Sequence, residues 1–196
     1  MKQQTLHNFI EHQKIISLVS DQCLDDINAI GKTMAQVLQS DGTIFWCGNG
    51  GSASDCQHLA AELVGRFKED RQALSSISLT TDTSILTSVA NDYAFENIFK
   101  RQIEALARPG DLLAIVSTSG NSPNILNALH AASSMDMLTV GLLGKNGGQA
   151  KNLVDQCVVI PSSSTARIQE AHILIGHCLC DVIEDSLSLQ VSSVVI

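Results

Sequence analysis

The chain has 196 residues, enough for one domain with a substantial core or one domain plus a helical extension. Hydrophobic residues make up 44% and charged residues 16%, which excludes a disordered chain. A net charge of −8 argues against nucleic acid or an anionic membrane as the main partner, and leaves room for an anionic small molecule held by local donors.

The N-terminus, Met1-Lys2-Gln3-Gln4-Thr5-Leu6-His7, has no apolar signal core, and no stretch approaches the roughly 20 apolar residues of a membrane span. Six cysteines (Cys23, Cys47, Cys56, Cys157, Cys178 and Cys180) form no Cys-x-x-Cys pair, and several lie in apolar runs. Buried free thiols in a reducing cytoplasm are the expectation.

Residues 4–38 carry apolar side chains at spacings of three and four, which predicts a helical arm broken near Ser20-Asp21 or Asp25-Asp26. It has too many apolar positions for a lone surface helix, so it packs on a core or on another subunit. Gly42 ends it. Thr43–Cys47 reads as a strand, and Ser52 as the cap of a helix reaching about Arg66. Lys68–Arg71 reads as a solvated turn without a special role. A second strand is expected at Ser75–Leu79, a short helix at Ile85–Val89, a turn at Asn91-Asp92-Tyr93 and a helix at Phe95–Ala107.

Leu112–Val116 is a continuous apolar run, as expected of a central strand. A helix from Pro123 to about Ser134 follows, with proline suited to its first turn. Strands at Leu138–Leu143 and Cys157–Ile160 flank a short helix near Gln149–Leu153, and residues 166–188 form a long apolar helix. The tail, 191–196, packs somewhere or frays. This alternation predicts an α/β protein: a parallel sheet with helices on both faces and right-handed crossovers.

Two loops stand where such sheets bind ligands, after a strand and before a helix. Gly48-Asn49-Gly50-Gly51-Ser52 lets backbone N–H groups approach an anion at a helix N-terminus. It is neither Gly-x-Gly-x-x-Gly nor a P-loop, so a nucleotide reading is weak, and a tight capped turn would look the same. Ser117-Thr118-Ser119-Gly120-Asn121-Ser122 offers four hydroxyls in six residues, more than a capping turn needs, and suits a neutral phosphate cradle. His58 and Glu62 share a helical face at i and i+4, a spacing that also serves surface pairs. His172 reads as a satisfied core histidine. Gln169 and His177 are eight residues apart, roughly 12 Å along a helix axis. With bonds near 2 Å, one ion takes both only if the helix bends or two chains contribute.

Taken in order, Gly48–Ser52, His58 with Glu62, Asn91-Asp92, Ser117–Ser122 and Arg167-Ile168-Gln169-Glu170 with His177 resemble the sugar isomerase (SIS) domain family over roughly residues 40–188. Each motif alone is weak to moderate; the ordered set is specific. The resemblance implies a three-layer, flavodoxin-like parallel-sheet domain at 41–190, preceded by the helical arm at 1–40. It implies a homotetramer with active sites between subunits and a sugar-phosphate substrate. The implied reaction interconverts D-sedoheptulose 7-phosphate and D-glycero-D-manno-heptose 7-phosphate, the first step toward ADP-heptose for the lipopolysaccharide core.

By motif position, Ser117, Thr118, Ser119 and Ser122 would hold the phosphate. Asn49, Gly50, Gly51, Asn91 and Asp92 would line the sugar site, with Glu62 and Gln169. His58, Glu62, Gln169 and His177 match the family's zinc positions, one zinc per subunit. Where some members have Asp, this chain has Ala166, so a substrate contact there is not expected. Isomerisation through an enediol needs a base at carbon and a group that moves protons between oxygens, roles that suit Glu62 and His177. A zinc ion on the sugar oxygens would stabilise an enediolate, although a carboxylate bound to it is a poorer base. Two other kinds of SIS protein compete with this reading. Those that bind a replication initiator lack residues of the Glu62 and His177 type, and sugar-phosphate sensors carry a DNA-binding segment that this chain does not show.

Overall fold

A five-stranded, all-parallel sheet runs through the chain in the order β2-β1-β3-β4-β5. The strands are β1 Ile44–Gly48, β2 Ser76–Ser78, β3 Leu112–Ser117, β4 Leu138–Gly144 and β5 Gln156–Ile160. The computed structural model describes residues 2–191, with side chains described to residue 188, so the expectation for the tail at 192–196 lies outside the described residues. The helices are α1 Lys2–Gln22, α2 Leu24–Gln39, α3 Gly51–Val64, α4 Thr83–Asp92, α5 Lys100–Leu106, α6 Pro123–Ser134 and α7 Thr165–Val191.

Every residue of β1 and β3 is buried, because helices cover both faces of the sheet. Successive side chains point to opposite faces and so divide the core in two. Ile44, Trp46, Leu112, Ala114 and Val116 pack with α2, α3 and α7, through Met34, Leu59, Leu63, Ile175 and Leu179. Phe45, Cys47, Leu113 and Ile115 pack with α4, α5 and α6, through Val89, Ile103, Ile125 and Leu129. This is the three-layer α/β sandwich read from the sequence, and the strand order is the flavodoxin-like one. All six cysteines are free thiols, and no helix among the described residues is long and apolar enough to cross a membrane.

Several local readings change. The arm breaks at Cys23, between the two expected positions, where that residue turns inward. Its second half joins the core through Ile27, Ile30 and Met34, whereas α1 buries Val19 and leaves Leu6, Phe9 and Ile10 more than half exposed. Ser52 does not cap α3. Gly50 holds that position with a φ of 58°, and Ser52 is buried inside the first turn. Asn91 and Asp92 are the last residues of α4, not a turn, and α4 is capped by Asp82, whose Oδ1 accepts from the Ile85 N–H at 2.9 Å. The helix expected at Phe95–Ala107 is divided into a 3₁₀ turn, Phe95–Asn97, and α5, because Ile98 and Phe99 both turn into the core between them. The short helix near Gln149–Leu153 is a 3₁₀ turn at Ala150–Asn152.

The largest correction concerns Lys68–Arg71. Arg71 donates from Nε to the buried carboxylate of Glu184 at 2.8 Å, and that carboxylate also accepts the backbone N–H groups of Phe67, Lys68 and Glu69, each at 3.1 Å. A charged buried group needs such partners, so the segment is fastened to α7 rather than solvated. Burial pushes the Glu184 carboxyl up, but these hydrogen bonds outweigh it and hold the group below the ordinary carboxylate range.

Candidate active site

The chain leaves β1 toward β2 on one side and leaves β3 toward β4 on the other, so the crevice between the ends of β1 and β3 is the topological switch point. Register pairs Gly48 with Val116, and the glycine turn and the serine loop therefore emerge side by side. Asn49 and Asn124 join them: Asn49 Nδ2 donates to Asn124 Oδ1 at 2.9 Å, and Asn124 Nδ2 donates back at 2.8 Å. Asn124 is buried in the first turn of α6. Sequence reading missed it; the available signal was an amide just inside a helix that begins at a ligand-type loop. Gly51 lies under the Gln169 amide, where a Cβ would meet Nε2 at 2.5 Å and the side chain from α7 would have to shift.

In the serine loop the hydroxyls divide into two kinds. Ser117 Oγ accepts from the Gly120 N–H at 3.0 Å and Ser119 Oγ from the Asn121 N–H at 3.2 Å, which shape the loop. Asn121 in turn accepts the Gln149 N–H through Oδ1 at 3.0 Å and ties the loop to the segment after β4. Ser122 occupies the N-cap of α6 without a side-chain cap bond. Among the described residues neither its hydroxyl nor that of Thr118 makes a hydrogen bond, so both could meet a ligand beside the α6 N-terminus, whose first N–H groups have no intrahelical partner.

The third part of the site lies on the outer surface of the α3–α7 pair. His58 Nε2 is 2.9 Å from Glu62 Oε1 and 3.5 Å from His177 Nε2. The donor atoms of His58, Glu62 and His177 all lie within 4.8 Å of one another. Two ligand atoms on a tetrahedral ion with bonds of 2.0–2.1 Å stand about 3.4 Å apart, so the donor set and its spacing fit a zinc-sized cation. The His58 and His177 rings meet edge to face at 5.1 Å, and Phe67 stacks on the His177 ring at 5.4 Å. One turn before His58, burial pushes the Asp55 carboxyl up against the pull of His58, and its Oδ2 is buried without a partner. Sequence reading did not single out Asp55.

The remaining site candidates are not joined to these groups within one protomer. Gln169 sits over Gly51, and α7 is a continuous helix, so it stands eight residues, roughly 12 Å, from His177. Asn91 donates to Asp92 at 2.8 Å, and no hydrogen bond or ion pair ties either residue to the two loops among the described residues. His172 is fully buried and donates from Nε2 to the Leu143 carbonyl at 3.0 Å, a core histidine as read, although its Nδ1 has no partner.

The SIS domain profile matches residues 9–144, from within α1 to the end of β4. The chain belongs to the SIS domain family. Within that family it groups with the phosphoheptose isomerases. It is 52% identical over 176 residues to phosphoheptose isomerase 1 of Campylobacter jejuni, covering 90% of this chain and 94% of that one. It is 46% identical over 188 residues to the phosphoheptose isomerase of Aliarcobacter butzleri, covering 96% and 100%. The solved phosphoheptose isomerase of Neisseria gonorrhoeae superposes with a TM-score of 0.90 at 40% identity, covering 94% of this chain and 98% of that one.

Proposed function

We propose that this chain is an aldose–ketose isomerase that interconverts D-sedoheptulose 7-phosphate and D-glycero-D-manno-heptose 7-phosphate. Beyond the family relationship, the observation that carries the reading is the approach of a carboxylate and two imidazoles, Glu62 and His58 on α3, which starts at the glycine turn, and His177 on α7, which packs against it. The serine loop, with Thr118 and Ser122, binds the phosphate at one end of the substrate. Asn49, Gly50 and Gly51, with Asn91 and Asp92 completing the pocket, line the sugar chain. Glu62 takes a proton from C1 of the ketose and returns it to C2, and His177 carries the proton between the two oxygens through the enediol. Glu62 Oε1 faces His58, which leaves Oε2 for the carbon-bound proton.

Zinc held by His58, Glu62 and His177 would polarise the sugar oxygens as a Lewis acid. Gln169 is the fourth residue of that set. Its distance along α7 is the reason to place it in the site of a neighbouring protomer, in a homotetramer whose sites lie between subunits. The exposed apolar stripe of α1 supports such association. In this reading the enzyme works in the cytoplasm at the first step toward ADP-heptose for the lipopolysaccharide core.

The test is incubation with sedoheptulose 7-phosphate, with and without zinc, following aldose formation. Turnover is expected, with loss of at least a hundredfold in Glu62→Gln and His177→Gln. No turnover in either condition, or near-normal rates in both variants, overturns the assignment.

A further inference from the structure

The His177 imidazole is only half-buried at the edge of α7, and two rotatable bonds separate its ring from the helix. A ring in that position turns between rotamers unless packing holds it, and a proton-transfer group loses rate when it wanders. Here two rings meet it, His58 in an edge-to-face contact and Phe67, which stacks nearly parallel to it at 19°.

Phe67 is itself placed by the arrangement that fastens its segment to α7. Glu184 stands seven residues after His177, two turns along the same face of α7. Its carboxylate gathers three consecutive backbone N–H groups, from Phe67, Lys68 and Glu69, and the Arg71 guanidinium. Between them on that face, Asp181 takes Lys68 Nζ at 2.6 Å. The other nitrogens of Arg71 donate to the carbonyls of Glu62 and Leu63, both at 2.9 Å, at the end of α3. One buried ion pair therefore ties the end of the helix that carries Glu62 to the helix that carries His177, and the segment between them lays a phenyl ring on the imidazole.

We infer that Phe67 is a positioning residue whose ring, held by Glu184 and Arg71, fixes the plane of the His177 imidazole for proton transfer. This rests on the assignment of His177 made above. The ring contacts of Phe67 run to His177 and Lys68, which makes its role one of orientation and not of substrate affinity.

The experiment pairs steady-state rates on sedoheptulose 7-phosphate with NMR of the histidine ring protons, with and without added zinc, in Phe67→Leu, Phe67→Tyr and Glu184→Gln. Phe67→Leu is expected to lower kcat roughly tenfold or more with KM within twofold, and to move the His177 ring signals as the shielding of the phenyl ring is lost. Phe67→Tyr keeps the stack and restores both readouts. Glu184→Gln moves both in the direction of Phe67→Leu. A Phe67→Leu protein with kcat within twofold of the parent, or with lowered kcat and unmoved His177 signals, overturns the inference. If the parent chain shows no turnover, the isomerase reading fails separately, and the His177 signals still decide what Phe67 does.

Discussion

Asn49 and Asn124 exchange two amide hydrogen bonds across the switch point, so each asparagine donates once and accepts once. The pair locks the glycine turn after β1 to the helix after the serine loop. Replacing Asn124 with Asp puts two acceptors face to face on one side of the pair and leaves Asn49 Oδ1 without its donor. We expect a loss of about 1–3 kcal/mol in urea unfolding. Because both ligand loops lose their tie, kcat/KM should also fall at least tenfold in initial-rate assays.

Gly176 sets the spacing of the histidines. A Cβ there would meet Leu59 Cδ2 at 2.5 Å and Cδ1 at 2.7 Å, and Leu59 is fully buried with little room to yield. Gly176→Ala should push α7 away from α3 and separate His58 from His177. Overpacking of this kind costs about 1–3 kcal/mol. The distinguishing result is weaker zinc binding by calorimetry, by at least tenfold, while the phosphate loop is untouched.

Zinc binding should be visible as stability. An ion that binds the folded chain alone stabilises it by roughly 2.7 kcal/mol at a hundred times its Kd. Thermal unfolding with and without zinc measures this as a rise in Tm. His58→Gln should abolish the rise, and chelation should lower isomerase activity in a way that added zinc restores.

Acid should weaken the fold through His172. Burial is the main cause that lowers its pKa to about 4, against the hydrogen bond to Leu143. An unfolded histidine titrates near 6.5, so between these values the unfolded chain binds a proton that the native chain refuses. Stability therefore rises with pH across that window, and up to roughly 3 kcal/mol is lost on going from pH 6.5 down to 4. Urea unfolding at several pH values should show the slope. His172→Gln, whose amide can still reach the Leu143 carbonyl, should flatten it. Glu184 acts lower down: its carboxyl is depressed, so its contribution is present above pH 4.5 and fades as pH falls below that.

The strands and the long helices were legible because burial on both faces writes them as apolar runs and regular spacings. Leu112–Val116 and Pro123–Ser134 are the plainest cases, and the two loops could be placed from strand ends alone. Glu184 was not legible, because nothing local distinguishes a carboxylate on a long helix that solvent covers from one that collects three amides and a guanidinium from a segment 113 to 117 residues away. The same holds for Asn49 and Asn124, 75 residues apart. Ser52 misled because serine is a common cap, whereas the turn here needs a positive φ at residue 50 and takes glycine instead.

Gly48 closes β1 and Ser117 closes β3, so the residues proposed to face the substrate begin where the two strands end. Heritable change in this chain should therefore separate into two kinds. Replacements among the strand side chains will be felt as how much protein accumulates, with the substrate preference of the survivors unaltered. Replacements in the two loops and along the outward face of α3 and α7 will be felt as what is turned over, in a protein that accumulates as before. A library sorted first on abundance and then on product would resolve them, and the border between the two classes should fall within a residue of each strand end.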